Sequence, residues 1–158
     1  MNASLNPKSL PINHPNCTFS IGRVSLSGFR NYTDLRLDVH AAPIVLTGDN
    51  GSGKTNLLEA ISLLVPGRGL RRASTADLPN HHIKSAHGFS TNWAVAVDLN
   101  TSSGPIPIGT GRDPEATDIE RRIVHIDGKP IRSQAALAEH VAMTWITPEM
   151  DRVLADGP

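Results

Sequence analysis

The chain has 158 residues, enough for one hydrophobic core, and its hydrophobic fraction of 39% is ordinary for a globular domain. Fifteen basic residues balance fifteen acidic ones, so no net charge draws the whole protein to nucleic acid or anionic lipid, and any such contact requires a local patch. The single cysteine, Cys17, excludes an internal disulfide, and the longest apolar runs are too short to cross a bilayer.

The first eighteen residues contain three prolines among Asn and Ser and lack the continuous apolar run of a signal peptide. We therefore expect residues 1–18 to form a flexible tail, and we expect a cytoplasmic protein without a membrane partner. An ordered pattern begins at Phe19, so residues 19–158 are predicted to be the folded part.

Two strands are predicted between residues 19 and 39. Apolar residues from Ile21 to Leu26 suggest the first, and clean apolar and polar alternation over residues 34–39 indicates a half-exposed second. The turn between them carries Arg30, which could reach a ligand or lie in solvent, and charge alone favours solvent. Residues 44–46 are predicted to form a short buried third strand.

Residues 48–55 fit the phosphate-binding loop G-x-x-x-x-G-K-[ST] at every fixed position. Glycines let backbone N–H groups converge on phosphate oxygens, Lys54 would reach the β- and γ-phosphates, and the Thr55 hydroxyl would bind Mg²⁺. The required strand precedes the loop, and apolar residues at helical spacing follow it until Pro66 and Gly67. We therefore predict binding of ATP or another nucleoside triphosphate with Mg²⁺. The predicted nucleotide-binding residues are Gly48, Asp49, Asn50, Gly51, Ser52, Gly53, Lys54 and Thr55.

An arginine cluster follows the predicted helix and contains Arg68, Arg71 and Arg72. Such a cluster is most often a solvated loop, but it is also the best local candidate for a contact with nucleic acid. The nearby His81, His82 and His87 lack cysteine or carboxylate partners at metal-binding spacing, which favours a polar loop over a metal site.

The remaining elements follow from alternation and turn chemistry. Asp127-Gly128 is a favoured pair for a tight hairpin turn, and Ser133 is a typical helix N-cap. In chain order we predict a strand at residues 93–99, a Gly- and Pro-rich break at 102–111, a hairpin at 122–131, a short helix from Ser133 to about His140, a buried strand at 144–146 and a helix beginning at 150.

The phosphate loop alone fits kinases, GTPases, helicases and transporter-type ATPases, so its surroundings must decide. The N-K-x-D motif with which GTPases read the base does not occur. Asp98 ends an apolar strand as a second Mg²⁺ ligand would, but the polar alternation around it indicates a half-exposed strand and a structural role.

Taken together, the motifs resemble the N-terminal part of the RecF family of DNA replication and repair ATPases. The FRNY turn, the GRGLRR segment and the ITPEM segment, in this order, are more specific than the phosphate loop. The matching segments are VSLSGFRNYTDLRLDV (residues 24–39), LTGDNGSGKTNLLEAISLLVPGRGLRRA (46–73), VHIDGKPI (124–131) and TWITPEMDRVL (144–154).

The resemblance implies an α/β fold of the P-loop NTPase class, the ABC- and SMC-type head, with an N-terminal ATP-binding lobe and an antiparallel β subdomain. It implies that Arg30 and Asn31 lie near the nucleotide and that heads form a homodimer around ATP. It further implies binding to single-stranded or gapped DNA and contacts with other recombination mediator proteins.

The family is more than twice as long, so residues 19–158 would be an incomplete head without its signature motif and Walker B strand. No catalytic residue is therefore predicted within this chain; slow ATP hydrolysis is expected of a full-length protein and little turnover of these 158 residues. The ITPEM segment lies where such ATPases carry a Q-loop, yet it contains no Gln. Two alternatives stay open: a small-molecule kinase with Asp98 as a Mg²⁺ ligand, and another SMC-like ATPase such as an overcoming-lysogenization-type nuclease.

Overall fold

The computed structural model describes residues 6–9, 19–85, 88–114, 121–148 and 150. Its centre is a six-stranded antiparallel sheet of order β10-β9-β8-β7-β2-β3, beside two separate two-stranded pairs, β1-β4 and β5-β6. The strands are β1 (Asn6–Ser9), β2 (Ser20–Phe29), β3 (Tyr32–Asp38), β4 (Ile44–Thr47), β5 (Lys84–Ser85), β6 (Gly88–Phe89), β7 (Ala94–Thr101), β8 (Gly104–Arg112), β9 (Arg122–Ile126) and β10 (Lys129–Ile131). The helices are α1 (Lys54–Ser62) and two 3-10 turns, Thr75–Asp77 and Gln134–Glu139.

One face of the sheet and one side of α1 form the hydrophobic core. Alternate residues of β7 point to it, which confirms the strand predicted from the alternating pattern over residues 93–99. The rings of Phe29 and Trp93 meet edge to face at a centroid distance of 5.9 Å, where the turn after β2 approaches the start of β7. The buried residues of the core include Val24, Leu26, Leu57, Ala60, Leu63, Leu64, Val95, Val97, Leu99, Ile108 and Val124.

The hairpin and the capped turn agree with the sequence prediction. Strands β9 and β10 flank Asp127 and Gly128, both of which have positive φ. The Ser133 side chain accepts a hydrogen bond from the Ala135 backbone N–H, although the turn it caps is 3-10 rather than α-helical. Most of the helix predicted to begin at residue 150 lies outside the described residues.

The predicted break at residues 102–111 is wrong, because most of it belongs to strand β8. Proline is excluded from central strands since it lacks an N–H group. Here, however, β9 pairs with β8 only from Ile108 onward, so Pro105 and Pro107 lie where β8 is locally an edge. Gly111 is required further along, since a Cβ there would come within 2.6 Å of the Trp93 carbonyl oxygen.

Two predicted buried strands also differ in the structure. Residues 144–146 form no strand, and Ile146 is 77% exposed. Strand β4 does form, but Ile44 and Val45 are 40% and 45% exposed, because β1 is its only partner among the described strands. That partner comes from the predicted flexible tail: Asn6–Ser9 pair antiparallel with β4, and the other residues of 1–18 lie outside the described residues.

Arg122 of β9 forms hydrogen bonds that hold the C-terminal end of α1 against the sheet. Its Nη2 donates to the Leu63 carbonyl oxygen and its Nη1 to the Gly67 carbonyl oxygen, each at 3.0 Å. Burial lowers the pKa of Arg122 to about 10, so the guanidinium remains charged at neutral pH. A cation at the carbonyl end of a helix also meets the negative end of the helix dipole.

Replacing Arg122 with Met should lower the free energy of unfolding by about 2 to 3 kcal/mol, because two charge-assisted hydrogen bonds to helix-end carbonyls are lost. Urea denaturation monitored by tryptophan fluorescence measures the change. Arg121→Met is the matched control, since the Arg121 side chain is 67% exposed and solvent screens its charge in the ion pair with Asp113, whose side chain is 15% exposed. Equal losses in the two variants would contradict the role assigned to Arg122.

Candidate functional site

The phosphate loop lies between β4 and α1, as predicted from the motif. Gly48, Gly51 and Gly53 all have positive φ, the backbone region that glycine adopts without strain. Gly53 is the N-cap of α1, and no side chain caps the first N–H groups of this helix. The loop therefore presents uncapped donors and the positive end of a helix dipole at one point, which suits a bound anion.

Lys54 lies back over this loop. Its ammonium donates to the carbonyl oxygens of Gly48 and Asp49, each at 2.8 Å, and lies 3.4 Å from the Ser52 hydroxyl. All three acceptors are neutral, so a phosphate oxygen would be a stronger partner for the same cation. The loop thus places one mobile positive charge at the mouth of the backbone nest.

Glu59 of α1 carries a buried negative charge beside the loop. The side chain is 1% exposed and accepts a two-pronged hydrogen bond from Arg30, with Nε to Oε2 at 2.9 Å and Nη2 to Oε1 at 2.7 Å. Arg71 donates to the same Oε2 at 3.2 Å. Two arginines from distant segments therefore share one buried carboxylate, which ties the turn after β2 and the arginine cluster to the phosphate-loop helix.

Arg30 is held firmly in this arrangement. Its backbone has a positive φ of 51°, and its third guanidinium nitrogen donates to the Asp77 carbonyl oxygen at 2.8 Å. The guanidinium therefore faces Glu59, and its hydrogen bonds to described residues go to Glu59 and Asp77 rather than to the phosphate loop. The solvent-exposed position expected for Arg30 from charge alone is wrong.

Asn31, in contrast, does lie against the phosphate loop. Its Nδ2 atom would be 2.6 Å from a Cβ built on Gly53, and the Tyr32 hydroxyl would be 2.7 Å from the same point. The Asn31 oxygen accepts from Asn56 Nδ2 at 2.8 Å, and the Asn56 oxygen accepts from Arg71 Nη1 at 2.8 Å. A side chain on residue 53 would collide with this packed layer, which is a second reason for glycine there.

The arginine cluster divides into two parts. Arg71 points inward to Asn56 and Glu59. Arg68 and Arg72 are exposed, and among the described residues no side-chain hydrogen bond or ion pair holds either guanidinium. A cleft of about 750 Å³ lies beside the cluster and reaches Thr55. It is lined by Thr55, Gly69, Leu70, Arg71, Arg72, Trp145, Thr147, Pro148 and Met150.

Sequence reasoning missed Glu59, Asn56 and Tyr32. Glu59 is the one acidic residue of α1, and it lies four positions before the buried Leu63 on the apolar side of the helix. An acidic residue on the apolar side of a helix needs a cationic partner. The position of Glu59 could therefore have indicated a buried ion pair from the sequence.

Two other sequence hypotheses concern Asp98 and the histidines. Asp98 forms an ion pair with Arg23 at 3.2 Å and lies half-exposed in β7, which agrees with the half-exposed strand predicted around it. Within the part of the chain that the structure describes, no group of His, Cys, Asp and Glu could hold a metal ion; His87 lies outside that part. No described helix has the length and apolar character needed to span a membrane.

A strand, a glycine loop and a helix with Lys54 and Thr55 at its start, set beside an antiparallel sheet, show the fold of the P-loop ATPase heads of the ABC and SMC type. The family model described as "AAA domain" matches residues 23–145. The chain belongs to this AAA domain family, and its curated relatives are RecF proteins, in agreement with the resemblance of its motifs.

Two relatives illustrate the match. DNA replication and repair protein RecF of Agrobacterium fabrum is 41% identical over 132 residues, which cover 84% of this chain and 34% of that protein. The protein of the same name from Mesorhizobium japonicum is 43% identical over 138 residues, which cover 87% of this chain and 34% of that protein. The chain thus spans about a third of the length of the curated relatives it matches.

Solved structures give the same fold. The recombination mediator protein RecF with ATP in the RecFOR pathway superimposes with a TM-score of 0.65 at 20% identity, covering 84% of this chain and 34% of that one. The SMC head domain from Thermotoga maritima gives a TM-score of 0.51 at 16% identity, and the match covers 77% of this chain and 42% of that one.

Proposed function

We propose that this chain is the ATP-binding part of an ATP-dependent DNA-binding protein of DNA replication and recombinational repair. The observation that carries the proposal is the phosphate loop: three glycines with positive φ, an uncapped helix start and the Lys54 ammonium meet at one point. The naming of its relatives as DNA replication and repair proteins supports the biological setting.

The residues present fit a magnesium nucleotide. Lys54 would exchange two neutral carbonyl partners for β- and γ-phosphate oxygens, and Thr55, at the wall of the cleft, offers the hydroxyl oxygen that Mg²⁺ prefers. The metal would supply neutralisation of phosphate charge. Asn31 would support the loop from outside, through Gly53, and Arg30 would act through Glu59.

In this proposal ATP joins two heads into a homodimer that grips single-stranded or gapped DNA, and slow hydrolysis releases the grip. Other recombination mediator proteins would be its partners, in the cytoplasm. The small-molecule kinase gains no support, because Asp98 is engaged with Arg23 in a half-exposed strand.

The proposal is tested with a full-length protein that contains this chain. Binding to gapped DNA is measured by fluorescence anisotropy with and without ATP and Mg²⁺. Tighter binding with ATP is expected, and equal affinities would exclude an ATP-dependent clamp.

The same assay tests the arginine cluster. Arg68→Glu with Arg72→Glu should weaken DNA binding and reduce the slope of log affinity against log salt, since two exposed cations no longer meet phosphates. ATP affinity should be unchanged. The control with the same charge change is Arg36→Glu with Lys129→Glu, on the two edge strands of the sheet. An equal loss in this control would show a general charge effect and contradict a local DNA contact.

A further inference from the structure

Tyr32 carries a buried hydroxyl that has no partner. The residue is 3% exposed, and among the described residues nothing forms a hydrogen bond with its hydroxyl. Burial also raises the pKa of the phenol, so the group remains a protonated donor at neutral pH. A buried hydroxyl without a hydrogen-bond partner is unfavourable, and phenylalanine would avoid that cost at the same position.

The hydroxyl faces the phosphate loop at Gly53, on the side where Asn31 also lies. The orientation of Asn31 is fixed by its neighbours: the Arg71 guanidinium can only donate, so Asn56 presents its oxygen to Arg71 and its NH₂ group to the Asn31 oxygen. Asn31 must therefore turn its own NH₂ group toward Gly53 and Tyr32. This space holds two donors and lacks an acceptor for the phenolic proton.

The Tyr32 hydroxyl and the Asn31 NH₂ group are two donors that point to the same place beside the phosphate loop. The hydrogen bonds of this loop change when a ligand binds, so the two donors define a site for an oxygen acceptor. In the ligand-free chain the Lys54 ammonium donates hydrogen bonds to the carbonyl oxygens of Gly48 and Asp49. When Lys54 turns to phosphate, these exposed carbonyls lose their cation, so the hydrogen bonding of the loop backbone changes with the ligand.

We infer that Tyr32 is a positioning residue, whose hydroxyl donates to a backbone carbonyl of the phosphate loop only when a triphosphate is bound. The Tyr32 hydroxyl, which has no acceptor in the ligand-free chain, then gains one when the nucleotide binds. Nucleotide binding to the loop is in this way coupled to the turn after β2. This inference rests on the proposed ATP binding and adds to it a residue outside the phosphate-loop motif.

Tyr32→Phe separates this role from a structural one. Melting of the nucleotide-free variant should occur at or above the wild-type temperature, because no hydrogen bond is lost, while its ATP affinity should fall about tenfold. Thermal unfolding by circular dichroism and titration with a fluorescent ATP analogue give the two values. A fall in both would indicate a structural role and overturn the inference, as would unchanged ATP affinity.

Tyr32 is the single tyrosine of the chain, so ¹³Cζ-labelled tyrosine gives one NMR signal from this phenol. Addition of ATP and Mg²⁺ should shift that signal in the wild type and leave it in place in Lys54→Ala. If the wild-type signal did not move although ATP was bound, the inference about Tyr32 would be wrong and the proposed ATP binding would stand. Failure of the wild type to bind ATP in the titration would instead refute the proposed function, and the inference with it.

Discussion

Lys54→Ala is expected to weaken ATP binding at least tenfold. The substitution removes the Lys54 ammonium from the mouth of the loop, and a hydrogen bond to a charged group contributes about 1.5 to 3 kcal/mol net. Titration of both proteins with a fluorescent ATP analogue measures the loss. The fold should persist, because the ammonium contacts only exposed backbone carbonyls and Ser52 in the ligand-free chain.

Lys129→Ala is the control for this loss, since it removes an exposed lysine on edge strand β10. Its ATP affinity should equal that of the wild type. If Lys54→Ala also bound ATP as the wild type does, residues 48–55 would not be the nucleotide site, whatever their motif.

The phosphate loop could be predicted from the sequence because its chemistry is local. Eight consecutive residues contain the glycines, the cation and the hydroxyl, and the helix start that completes the site follows directly. Strands β2, β3 and β7 were predictable for a similar reason, since one face of each meets the core and the other meets solvent.

Strands β8 and β4 show where composition and hydrophobicity mislead. Proline and glycine predict a break, but whether β8 tolerates Pro105 and Pro107 depends on how far its neighbour β9 extends. The apolar residues 44–46 predict burial, but the described part of the chain packs Leu46 against the core and leaves Ile44 and Val45 exposed. Both outcomes depend on pairings between distant segments, which no local pattern contains.

The network around Glu59 lies beyond sequence prediction for the same reason. Arg30 is 29 positions from Glu59 and Arg71 is 12, and each sits in a loop that shows no sign of its partner. The resemblance to RecF directed attention to the turn containing Arg30 and implied that Arg30 lies near the nucleotide. In the structure its guanidinium faces a buried carboxylate.

This network makes Glu59→Leu the substitution with the largest expected effect on stability. Leucine fills much of the volume but leaves Arg30 and Arg71 facing one another without a counter-ion, and loss of one partner of a buried ion pair costs about 3 to 5 kcal/mol. Arg30 is 22% exposed and can regain some hydration, which favours the lower end, about 3 kcal/mol. Urea denaturation followed by circular dichroism measures the change.

Two further variants identify the cause of that loss. Asp38→Asn breaks the exposed ion pair with Arg23 and should leave the unfolding midpoint unchanged, because solvent already screens both charges. Glu59→Gln keeps the shape and one acceptor oxygen, so it should fall between the wild type and Glu59→Leu. If Glu59→Leu were as stable as the wild type, the carboxylate would not hold the two arginine segments on α1, and Arg71 would have no fixed orientation from which to align Asn56 and Asn31 beneath the phosphate loop.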